Sequence, residues 1–186
     1  MSSQVKPSSG ASAHKNDRQR YALRTKRLAL SAILAAMAMI FSYIEALIPL
    51  PVPIPGIKLG LANLVIIIAI YRLGFKYAFV INCLRIFTAG LLFTGVFGIL
   101  YSMAGGILSI LVMYGLYRWG IFGIAGISMA GGVAHNFGQL VTACLIMSNI
   151  RLMSYFPVLL FAGMISGILI GIVAWMVLGR LPHLKV

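Results

Sequence analysis

Apolar runs separated by short breaks of glycine, proline and charge dominate the chain from Leu28 onward. Leu28 to Ile48 supplies about 20 mostly apolar residues, enough to cross a bilayer and more than a signal-peptide core. No small-x-small cleavage site follows it, so it is expected to stay in the mature protein. Pro49-Leu50-Pro51-Val52-Pro53-Ile54-Pro55-Gly56 cannot continue a helix, because each proline lacks an amide donor and biases its predecessor toward extended geometry. An extended, semi-rigid loop is expected there. Shorter apolar runs at Leu59 to Tyr71 and Tyr77 to Ala89 flank a turn at Arg72 to Lys76. Tilting, or extension through Gly56 to Gly60 and Gly90 to Gly98, must make up their length. Helix four is expected from about Val96 to Tyr117, ending at Arg118-Trp119-Gly120. Helix five runs over Ile121 to Met147 and, after a turn marked by Asn149, Arg151 and Pro157, helix six over Val158 to Leu178. The pattern predicts an all-α polytopic membrane protein with six transmembrane helices.

Composition agrees, since 61% hydrophobic and 9% charged residues place the chain outside soluble globular proteins. Met1 to Arg27 is polar and basic and is expected to form a flexible cytoplasmic tail, with residues 28–186 as the membrane domain. That basic segment abuts an apolar run, which favours retention on the cytoplasmic side over nucleic-acid binding. With the amino terminus inside, twelve basic residues fall on the cytoplasmic side and only Lys58 and Arg151 outside, so both termini are expected to be cytoplasmic in the cell membrane. Cys83 and Cys144 lie in separate apolar runs and read as small hydrophobes.

Polar residues inside the apolar runs are the candidates for function. Ser128 to Thr142 carries His135, Asn136 and Gln139, with His135 and Gln139 one turn apart on one face. Ala130, Ala134, Gly138 and Thr142 form a separate small-residue row. These polar groups either bind a ligand or hydrogen-bond to neighbouring helices. Arg85 is a guanidinium at membrane depth, with Asn82 one turn before it. Two readings of it stand. One is a structural clamp to Glu45, the single acid near the membrane region, or an arginine snorkelling outward. The other is an anion contact in an outward-facing pocket shared with Lys58 and Asn63. The glycine row Gly163, Gly167 and Gly171, and the Gly105-Gly106 and Gly131-Gly132 pairs, read as close helix packing.

With only Asp17 and Glu45 as acids, the chain cannot hold magnesium as aspartate-rich prenyl-diphosphate synthases do. It has no phosphate-binding loop for ATP and no second metal ligand near His135, so no catalysis, cofactor or metal is expected.

The small-residue first helix passing into the P-L-P-V-P loop, Ala32 to Pro53, resembles substrate-binding S components of energy-coupling-factor transporters. PGIKLGLAN at Pro55 to Asn63, RIFTAGLLFTGVFGILYSMAGGILS at Arg85 to Ser109 and AGGVAHNFGQL at Ala130 to Leu140 resemble the Gx transporter family, also labelled heptaprenyl diphosphate synthase component I. The likeness covers about Leu28 to Pro182. It implies a six-helix protein that captures a small molecule from outside, expected to be an amphipathic anion entering beneath the proline loop, and relies on a transmembrane coupling protein with two ATPases. The label implies instead a noncatalytic membrane partner of a separate synthase. The motif positions that carry over are Lys58, Asn63, Arg85, His135, Asn136 and Gln139. Ala29, Ala32 and Ala36 offer a small-residue face for docking the coupling partner, or for packing within the chain.

Overall fold

The computed structural model describes residues 9–47 and 60–181, with side chains described from residue 16 onward. The proline loop, Lys58, His183 and Lys185 lie outside the described residues. The described fold is all-α: α1 (Ser9–Leu47), α2 (Leu61–Leu73), α3 (Phe75–Ala89), α4 (Gly95–Trp119), α5 (Ile124–Ile146) and α6 (Phe156–Arg180). A π-helical turn, Gly90–Thr94, joins α3 to α4, and a 3-10 turn, Ile150–Tyr155, precedes α6. Asn16–Leu47, Phe75–Trp119 and Ile150–Arg180 are each long and apolar enough to cross a membrane, which marks a multi-pass membrane protein. Exposed Ile33, Leu84, Leu91, Leu111, Phe161, Leu169 and Trp175 fit the same conclusion, since apolar faces turn outward where the solvent is lipid.

α1 reaches back to Ser9, so the basic segment expected as a tail is helical from that point. Its Arg, Lys, Gln, Ala and Leu residues are strong helix formers. α2 is only 13 residues and is hydrophobic all round, with Ala62 and Leu64 to Ile70 buried. It forms the centre of the core. Around it lie Leu34 and Ala38 of α1, Ala78 and Ile81 of α3, Ile110 and Met113 of α4, Ile127 of α5, and Ile170 and Ala174 of α6.

The apolar stretch from Phe75 to Trp119 folds back on itself at Gly95, whose φ of 70° is open to glycine at little cost. A Cβ on Gly106 would lie 2.7 Å from Ile86 Cδ1 and 2.9 Å from Asn82 Nδ2, and one on Gly90 would meet Ile99, so α4 runs back antiparallel to α3. α4 and α5 are likewise antiparallel, Gly138 meeting Gly105 and Gly131 meeting Met113. The three glycines of α6 fit against α5: Gly163 on Gly132, Gly167 on Met129 and Gly171 on Ala125. Small residues therefore serve close packing, as the sequence led us to expect.

Arg72 at the end of α2 donates through Nη2 to the carbonyls of Leu178 (2.6 Å) and Leu181 (2.9 Å) at the end of α6. A cation there matches the negative end of the helix dipole. Tyr71 stacks edge-on with Tyr117 of α4, ring centroids 4.7 Å apart, so the ends of α2, α4 and α6 gather on one side of the bundle. On the opposite side, Glu45 near the end of α1 accepts the Leu61 N–H at the start of α2 through Oε1 at 2.7 Å. α6 begins with Pro157 in its first turn, where a missing N–H leaves no helical hydrogen bond unmade.

Candidate ligand site

Close packing elsewhere leaves a polar space where α1, α2, α3, α5 and α6 meet. It is bordered by Glu45, Asn63, Arg85, His135 and Asn136, together with Ser128 and Ser166. Each helix brings its polar group by spacing. On α5, Ser128, Gly132, His135 and Asn136 stand at i, i+4, i+7 and i+8, one face of a helix. Gly132 lets α6 approach there, its Cβ position lying 2.5 Å from the Gly163 carbonyl oxygen.

Arg85 is the electrostatic centre. Its guanidinium is buried, its Nη2 donates to Asn82 Oδ1 at 2.8 Å, and the charge of Glu45 is near enough to act on it. Among the described residues no hydrogen-bond acceptor meets Arg85 Nε or takes the Asn82 Nδ2 hydrogens. A buried cation with donors to spare is costly in an apolar medium unless something accepts from it. A second space borders the same Glu45 and Arg85 and is lined also by Ser42, Gly90, Phe93, Thr94 and Ser102. The π-helical turn forms part of its wall, a distortion often found at functional sites.

The residues predicted from sequence divide into three groups. Asn63, Arg85, His135 and Asn136 border the first space. Asn136 also donates Nδ2 to the Leu159 carbonyl of α6 at 2.8 Å, so it ties helices together as well as facing the cavity. Asn82 stands behind Arg85 as its hydrogen-bond partner and does not border the cavity. Gln139 is buried against α4, its Cγ 2.8 Å from a Cβ built on Gly105, and likewise stays away from the cavity wall. Lys58 lies outside the described residues. Sequence reasoning missed Ser128 and Ser166 because small residues on these helices read as packing positions. The signal was present in the heptad-like spacing of Ser128 with His135.

Chemically, the space offers one guanidinium, one carboxylate, an imidazole, two carboxamides and two hydroxyls within apolar walls, a donor-rich setting suited to orienting a small polar or anionic group. A family profile described as heptaprenyl diphosphate synthase component I matches residues 34–177. No curated protein and no solved structure matches the chain. The matched region takes in every residue bordering the Arg85 cavity, and the chain belongs to the heptaprenyl diphosphate synthase component I family, also known as the Gx transporter family.

Proposed function

We propose that this protein is the membrane-embedded substrate-binding subunit of a small-molecule uptake system in the cytoplasmic membrane. The observation that carries the reading is the cavity bordered by buried Arg85 together with Asn63, His135 and Asn136, a set of donors that suits an acceptor-bearing, anionic ligand. In this reading the bundle crosses the membrane six times, with both termini cytoplasmic and the proline loop outside. The gathering of Arg72 and the end of α6, which carries Arg180, on one side supports that orientation, because basic residues are retained inside.

The energy comes from a partner, a transmembrane coupling protein with ATPase subunits, since the chain has no phosphate-binding loop of its own. Ala29, Ala32 and Ala36 are all exposed along α1, which supports a partner helix approaching there. The family's description favours a second reading, a noncatalytic membrane partner of a prenyl-diphosphate synthase. Tagged protein extracted from its native membrane in mild detergent distinguishes the two. The transport reading expects copurifying ATP hydrolysis that disappears when Ala32 and Ala36 are replaced by Leu. Copurifying prenyl-diphosphate synthesis without ATP hydrolysis would establish the second reading in its place.

A further inference from the structure

The Arg85 cavity adjoins further spaces that step toward the lipid-facing side of α1. Its neighbour, the second space, shares Glu45 and Arg85 with it on one side. On the other it shares Ala89 and Phe93 with a third space, an apolar groove between α1 and the end of α3. Met39, Ile40, Tyr43 and Leu92 complete that groove. Ile40, Tyr43 and Leu92 are exposed on the outer face of the bundle, where the surroundings are acyl chains. Tyr43 and Phe93 touch across the groove, ring centroids 5.3 Å apart, and Phe93 also borders the inner space. Polarity thus falls across three neighbouring spaces with shared wall residues, from the buried Arg85 guanidinium to a wall of hydrocarbon and aromatic rings exposed on the outer face.

We infer that the ligand is an amphipathic anion dissolved in the membrane, a phosphate- or carboxylate-type head on a long hydrocarbon chain. It enters sideways between α1 and the π-helical turn past Tyr43 and Phe93. The head is held by Arg85, with Asn82 behind it; the tail lies in the groove of Met39, Ile40 and Leu92. Glu45 borders the same inner spaces; its Oε1 accepts the Leu61 N–H at the positive end of the α2 dipole, and its charge also acts on Arg85. Charge complementarity fixes the head, and a water-soluble ligand of the same charge would leave the groove unused. This inference rests on the Arg85 cavity being a ligand site and adds the ligand's tail and its route.

The test uses the full chain in lipid nanodiscs and two probes, hexadecyl phosphate and ethyl phosphate, with partition into empty discs subtracted. Hexadecyl phosphate is expected to bind at least about tenfold tighter than ethyl phosphate, because its methylenes occupy the groove. Ala89→Phe, which fills the groove, should weaken hexadecyl phosphate about tenfold, and Leu92→Trp, which borders neither space beside Arg85, should do the same while leaving ethyl phosphate within about twofold. Arg85→Gln should weaken both. Leu92→Trp repeats the groove test at a lipid-facing position with room for a larger ring, and it decides the matter if Ala89→Phe loses both probes through misfolding. Equal binding of the two probes, or retention of hexadecyl phosphate by Leu92→Trp and Ala89→Phe alike, overturns the lateral route and leaves the capture reading standing. Binding of neither probe to the unaltered chain overturns both.

Discussion

A guanidinium carried into a membrane bundle loses its hydration, and each donor must find an acceptor or remain as a standing cost. Arg85 meets that requirement in part, through Asn82 Oδ1 and the nearby charge of Glu45. The two readings the sequence left open, clamp and ligand contact, are therefore compatible at the same atoms. Sequence spacing brought Asn82 and Arg85 together correctly, because i and i+3 share a helix face whatever surrounds them. It could not separate Gln139 from His135, because facing a cavity or a neighbouring helix depends on where α4 lies. Asn136 provides a test at this scale. Its Nδ2 is the link to the Leu159 carbonyl, so Asn136→Ala should destabilise the protein by about 1 kcal/mol, in the range for interhelical hydrogen bonds in membranes. Thermal unfolding in detergent would read this as a lowered midpoint, and an unchanged midpoint would assign Asn136 to the cavity alone.

At the scale of elements, glycine position decides what a substitution does. Gly167 has no room, since a Cβ would lie 2.6 Å from Met129 Cα, a backbone atom that cannot yield without moving α5. Gly167→Leu should abolish the monodisperse protein in size-exclusion chromatography. Gly115, in the same class of apolar helix, has nothing within 4 Å of its Cβ position. Gly115→Ala should keep the fold and raise the unfolding midpoint, helix propensity favouring alanine by up to about 1 kcal/mol. The boundaries of α2 to α6 were legible to within a few residues, because glycine, proline and charge punctuate the apolar runs. The π-helical turn at Gly90–Thr94 and the 3-10 turn at Ile150–Tyr155 were not, since each depends on how its flanking helices pack rather than on local propensity. The helical extension of α1 to Ser9 was missed for another reason: charge suggested disorder where propensity favoured helix.

At the scale of the whole molecule, a charge asymmetry along the chain accompanies the cavity around Arg85. A single cysteine at Ser9, in a background of Cys83→Ser and Cys144→Ser, should react with an impermeant maleimide in inverted vesicles and not in intact cells. Labelling in intact cells would reverse the orientation and turn the groove between α1 and α3 toward the opposite leaflet. The central claim is that the Arg85 cavity holds a small anionic molecule, and its most direct test is native mass spectrometry of the purified chain beside Arg85→Ala. The account predicts a bound small molecule on the unaltered chain and its loss from the variant, with affinity reduced by about 2 kcal/mol or more where a buried charge contact is removed. A variant that folds normally and carries the same molecule in the same amount would contradict it.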